Sequence, residues 1–373
     1  MSSGPRRRRG ITRRAVLSAI PFAAGAQSGS APAKGQYVAS DWGRYADAAT
    51  EFPVLRLTDP AYESHLVAPP ARGLPRRSDQ VLYTSTRTGQ RQAFLLQLKD
   101  GRSRLLTQAS ALAPDGLTLT YDDRALLYFD GPTLHYSPLP GLREQQIYRI
   151  REGYERECGP VSSPDGLWLY VVETRDGRSE LRRLRRAGGT AETIATGEQG
   201  ILDPTPNPRR AMICWRDREG GLYTATIDGA GRRRVQTPPG RVLQAHWSPD
   251  GQALLYLLAP AAANELVSIR EQRLDVRTDV LVARTSQFAA FAPNANASVF
   301  IGSSSSRANP AVLILLRITR RELILCEHNA TSPARTAPQF APNSQHIFFE
   351  SDLHGRPALY SVAVEKLLEK TDS

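Results

Sequence analysis

A chain of 373 residues, 40% hydrophobic and 23% charged, can bury one large core or two ordinary ones, and this composition excludes a fibrous or wholly disordered protein. Its formal charge of +11 invites a nucleic-acid reading, but Arg6, Arg7, Arg8, Arg9, Arg13 and Arg14 stand in the first 26 residues, which carry no acid. The other 42 basic residues face 37 acidic ones, leaving only +5. Three cysteines, Cys158, Cys214 and Cys326, make no disulfide framework.

Taken in chain order, residues 1–26 have the arrangement of an export signal: a basic start, an apolar stretch from Ala15 to Ala24, and the small residues Ala24-Gly25-Ala26 as a cleavage site. Thr12-Arg13-Arg14-Ala15-Val16-Leu17 resembles a twin-arginine signal, which implies a periplasmic or secreted bacterial protein, and the apolar stretch is too short for a permanent membrane span. The alternative is a basic tail, which would not require the apolar stretch behind it. Residues 27–50, rich in Ala, Gly and Ser, read as a flexible linker.

From residue 51 onward one pattern recurs. Ser248-Pro249-Asp250-Gly251 has turn chemistry at each position: Pro presets φ, Asp bonds nearby backbone, and Gly accepts positive φ. The run Ala253–Leu257 behind it reads as a strand. Related corners, each followed by an apolar strand, centre on Pro75, Asp122, Pro164, Pro208, Pro249, Pro293 and Pro342. Their spacings are 47, 42, 44, 41, 44 and 49 residues. Seven units of this length, with several strands and Asp-Gly hairpin signals such as Asp100-Gly101 and Asp228-Gly229, predict an all-β, seven-bladed β-propeller of four-stranded blades over residues 51–366. A tail follows at 367–373. The last unit supplies three strands, and Val54-Leu55-Arg56-Leu57-Thr58 matches the fourth-strand sequence Arg104-Leu105-Leu106-Thr107. The N-terminal strand is therefore expected to complete the last blade and close the ring, which hides an open edge.

Within this frame the chain resembles the oligogalacturonate lyase family of bacterial seven-bladed propellers. The resemblance is carried by Val54-Leu55-Arg56-Leu57-Thr58-Asp59-Pro60 with Ser64-His65, by the run from Val81 to Gly89 with Leu105-Leu106-Thr107-Gln108, and by Tyr128-Phe129-Asp130-Gly131. Asp203-Pro204 with Pro208, Ile227-Asp228-Gly229, and Trp247 with Asp250-Gly251 continue it, so that it runs from residue 52 to 365. It implies binding and cleavage of acidic uronate oligosaccharides by β-elimination, with a divalent metal of the manganese type neutralising the carboxylate beside the proton that is lost.

The sequence departs from that family at the site. Arg335-Thr336-Ala337-Pro338 stands where the family carries two histidines, Asp203-Pro204 stands for His-Pro, and Gln244 replaces the histidine three residues before Trp247, so the ligand set is incomplete. The resemblance then points to His246 as catalytic base, His65 and Asp203 as the surviving metal ligands, and Arg156, Gln244 and Arg335 as substrate-binding residues, arginine pairing with uronate carboxylates. A structural histidine and solvated rim charges are the competing reading of each. Of the other histidines, His346 and His354 read as structural and His135 and His328 as surface residues. The arginine runs at 182–186 and 232–234 read as solvated edges without interleaved aromatics, so no nucleic-acid partner is expected. The alternative function is a non-catalytic periplasmic propeller that binds a protein partner, like the propeller of the Tol envelope system.

Overall fold

In the computed structural model, which describes residues 1, 32–262 and 264–365, the repeated corner is held by its own side chains. At Ser248 the hydroxyl accepts the Ala253 N–H at 2.9 Å, Asp250 Oδ1 accepts the Gln252 N–H at 3.0 Å, and Gly251 turns with φ +70°. The corner at Ser163 repeats this, with Asp165 accepting the Leu167 N–H at 2.9 Å and Gly166 at φ +69°. The turn residues thus meet their own hydrogen-bonding needs locally, and each reversal can form independently of the rest.

Between these corners the described residues form seven antiparallel sheets, arranged as the blades of a propeller. The innermost strands of blades 1 to 7 are Ser64–Leu66, Leu117–Leu119, Val161–Ser162, Leu202–Pro206, Gly240–Trp247, Phe288–Pro293 and Gln339–Phe340. Blade 7 continues outward through His346–Ser351 and Ala358–Ala363 and is then completed by Pro53–Arg56, with Val54 opposite Val362 and Arg56 opposite Tyr360. The expected closure is present.

Alternation along each strand sends one set of side chains to each neighbouring blade. Tyr170 and Val172 of blade 3 pack with Ile213 and Trp215 of blade 4, and Val299, Ile301 and Val312 of blade 6 pack with Ile347, Phe349 and Val54 of blade 7. Each fully buried large side chain of this kind contributes roughly 1.5–3 kcal/mol.

The structure corrects the linker expectation. Within residues 32–50, Tyr37–Val38 pairs with Ser103–Leu105 on the outside of blade 1, and Gly43–Ala46 pairs with Pro53–Arg56 on the outside of blade 7. The propeller sheets therefore begin at Tyr37, and these two segments add a fifth, outermost strand to blades 1 and 7. The expected export signal, apart from Met1, and the tail at 367–373 lie outside the described residues. No helix among the described residues is long and apolar enough to cross a membrane.

Candidate functional site

Because the chain enters every blade at its innermost strand, residues at the start of those strands gather around one end of the ring. They enclose a cavity of about 270 Å³ bordered by His65, Cys158, Asp203, Gln244, Arg335 and Glu350. Four of the six residues singled out from the sequence are thus brought together from blades 1, 4, 5 and 7. What the sequence did not disclose is how fully most of them are engaged by other protein groups.

His65 lies between two carboxylates. Its Nδ1 meets Glu350 Oε1 at 3.0 Å and its Nε2 meets Glu63 Oε1 at 2.6 Å, while Arg91 holds Glu63 at 3.0 Å. Burial pulls the imidazole pKa down, but the two glutamates outweigh it and hold it above the ordinary histidine value. The same contact with His65, helped by Arg91, holds Glu63 below the usual carboxylate range. Glu350 Oε2 also accepts the Leu66 N–H at 3.2 Å, so this side chain of blade 7 serves the open edge of blade 1's inner strand. With both ring nitrogens occupied, His65 has none to offer a metal, contrary to the ligand role implied by the resemblance.

His246 differs more sharply from expectation. It shares a strand face with Gln244 but stands two residues further along the strand, roughly 7 Å from the mouth, and does not line the cavity. Its Nε2 bonds the Phe291 carbonyl of blade 6 at 2.9 Å, and its ring meets Phe291 edge-on at 5.0 Å. Burial pushes its pKa down to about 4 despite that hydrogen bond. Gln244 Oε1 accepts the Phe291 N–H at 2.7 Å, so the two side chains together satisfy both backbone groups of one residue on the neighbouring blade. His246 is therefore a staple between inner strands and is badly placed as a catalytic base, since a base must reach the proton it removes.

Asp203 adopts φ +52°, and its Oδ2 pairs with Arg216, whose other branch donates to the Val242 carbonyl at 3.1 Å. Its Oδ1 has no partner among the described residues. Arg156 does not line the cavity. It sits behind it, held by Asp115 at 3.0 Å and over the Phe129 ring at 5.5 Å. The Arg335 side chain is in none of these pairs. It is exposed in the short 3-10 turn Pro333–Thr336 and has no carboxylate partner among the described residues. Cys158 at the cavity wall has its thiol pKa raised by burial, which keeps it protonated and unreactive, and all three cysteines are free.

Two other sequence expectations need correction. His328 is fully buried, bonding the Ser304 carbonyl at 3.0 Å and accepting the Ala330 N–H at 2.9 Å. The outer arginine runs do have aromatic partners, supplied by adjacent strands: Arg183 and Arg185 lie over Trp168 at 4.2 and 4.9 Å, and Arg232 lies over Trp215 at 5.7 Å.

No family model matches the chain. An oligogalacturonide lyase of Pectobacterium atrosepticum is 22% identical over 384 residues, covering 89% of this chain and 98% of that protein. An uncharacterized protein of Agrobacterium fabrum is 26% identical over 191 residues, covering 45% of this chain and 62% of that protein. Among solved structures, an oligogalacturonate lyase in complex with manganese matches with a TM-score of 0.83 at 22% identity, covering 89% of this chain and 98% of that one. A comparable manganese site does not fit the residues here. Among the described residues no three His, Cys, Asp or Glu side chains converge as ligands, His65 has no free nitrogen, and a guanidinium stands at the rim. Along most of its length this chain is a distant sequence relative of the oligogalacturonate lyases, and it shares their seven-bladed fold.

Proposed function

We propose that this cavity binds a short acidic oligosaccharide of the uronate type, with a sugar carboxylate against Arg335. The supporting observation is the Arg335 guanidinium, the one charged group bordering the cavity that has no side-chain partner among the described residues. Gln244 donates from its remaining amide nitrogen to ring hydroxyls, and a guanidinium suits a planar carboxylate in a way an ammonium does not. Equilibrium dialysis with trigalacturonate and with its neutral galactose counterpart tests this. Retention of the acidic sugar alone is expected, whereas equal retention or none would return the chain to the protein-docking reading.

Elimination is a second reading, favoured by the similarity to lyases over 89% of the chain. In it Asp203, which borders the cavity with one carboxylate oxygen unengaged, takes the base role that His246 is too deep to fill. Asp203 removes the C5 proton, the C4–C5 double bond forms as the C4–O bond breaks, and the departing glycosidic oxygen takes a proton from water. Arg335 opposes the charge that builds on the adjacent carboxylate. Formation of unsaturated uronate, followed by its absorbance with Asp203→Asn and His246→Ala, tests the assignment. Loss in the first and survival in the second is expected, and the reverse pattern would restore His246 as base. The reading also places the protein in the periplasm or outside the cell, on the strength of residues 1–26, and cell fractionation with Arg13 and Arg14 both changed to lysine tests that.

A further inference from the structure

We infer that the opposite mouth of the ring holds a second site, for a compact anion carrying two or more carboxylate or phosphate groups. Where the inner strands end and the chain turns outward, the corners of blades 1 to 5 surround a larger cavity, about 660 Å³, bordered by Arg76, Tyr121, Tyr170, Arg209, Arg210 and Pro249. Blade 4 shows the relation of the two cavities most simply: its inner strand Leu202–Pro206 has Asp203 in the first and Pro206 in the second.

The guanidiniums that border this cavity are short of carboxylate partners. Nearby arginines have carboxylates: Arg72 is 2.8 Å from Asp123, Arg186 is 3.6 Å from Asp122, Arg273 is 3.1 Å from Asp275, and Arg317 pairs with Glu271. Arg76 and Arg209 have no carboxylate partner among the described residues. Arg76 stacks on Tyr121 at 4.3 Å, which orients the guanidinium without neutralising it, and Arg210 is met by the neutral amide of Gln252. The acid at the wall, Asp165, is tied into its own corner by Ser163 and the Leu167 N–H. Tyr170 is fully buried at the same wall, and its hydroxyl has no hydrogen-bond partner among the described residues.

Like charges gathered in a concave mouth repel one another and focus a positive field, a cost that an anion relieves. Arg76 comes from blade 1 and Arg209 from blade 4, so each reaches the cavity from a different side, and a ligand with an acidic group for each fits better than a single ion. Pro164, Pro208 and Met212 give it apolar walls. This site is independent of the uronate cavity.

Calorimetric titration of the full chain with citrate and with pyrophosphate tests the inference and separates a carboxylate from a phosphate ligand. At least one should bind, about tenfold or more weaker to an Arg76→Gln/Arg209→Gln variant of unchanged melting temperature and equally to Arg335→Gln. Should the double variant fail to fold, Arg209→Gln alone, an exposed position, should still weaken binding several-fold. Absence of binding by the unaltered protein, unchanged affinity in the arginine variants, or loss of binding in Arg335→Gln would each overturn it.

Discussion

The two mouths of the ring are built from opposite ends of the same inner strands, yet they treat charge differently. At the first, nearly every polar side chain is spent on the protein: His65 on Glu63 and Glu350, Asp203 on Arg216, Gln244 on the Phe291 backbone, and Asp115 on Arg156. At the second, Arg76 and Arg209 have no carboxylate partner among the described residues. The difference follows from what each end must solve. Inner strands present an open edge to the channel, and at the first mouth side chains from neighbouring blades cover it. At the second, the Ser163 and Ser248 corners satisfy themselves internally, and although Arg72 and Arg317 pair with carboxylates of neighbouring blades, Arg76 and Arg209 are left without one among the described residues.

The largest expected effect removes both mouths at once. Deleting residues 50–60 takes away the strand that closes blade 7, in which Val54 is fully buried, and circular dichroism should report loss of the cooperative fold. A soluble, cooperatively melting deletion would mean that the two ends do not depend on closure.

Breaking only the first mouth comes next. Glu350→Ala strands the Leu66 N–H and one nitrogen of His65, which should cost roughly 2–3 kcal/mol in urea unfolding. An effect near zero would show that the network is not coupled to stability.

The pH response sharpens the comparison further. His65 is held above the ordinary value of 6.5, so its contribution is complete below that value and is lost as pH rises through the raised one. Stability measured between about pH 6 and pH 9 should decline with that component, and His65→Gln should remove it. His246, pushed down to about 4, is neutral when folded across that range but still takes up a proton near pH 6.5 when unfolded, so it adds a rise in stability at the acid end and no slope above about pH 8.

Arg216→Gln is expected to have the smallest effect on stability, below about 1 kcal/mol, because the Asp203 side chain is 40% exposed and its ion pair is screened.

The corners, the blade count and the closure could all be read from the sequence, because turn chemistry is local and recurs at a nearly constant interval. Tyr37–Val38 and Gly43–Ala46 could not, since they are short strands on outer edges within a small-residue stretch that shows no apolar alternation. The gathering of His65, Asp203, Gln244 and Arg335 was legible from their shared position in the repeat. The failure of His246 was not: alternation places it on the right face, but depth along the strand separates the mouth from the core, and only its Phe291 partner reveals that depth. The pairing of His65 with Glu350 joins residues 285 positions apart, beyond any local pattern.

The most direct measurement is calorimetric titration of trigalacturonate, in the presence of a metal chelator, into the unaltered protein and into Arg335→Gln. Binding that survives the chelator and weakens about tenfold or more on loss of the guanidinium is expected. Binding that requires added manganese, or that is indifferent to Arg335, would contradict the account.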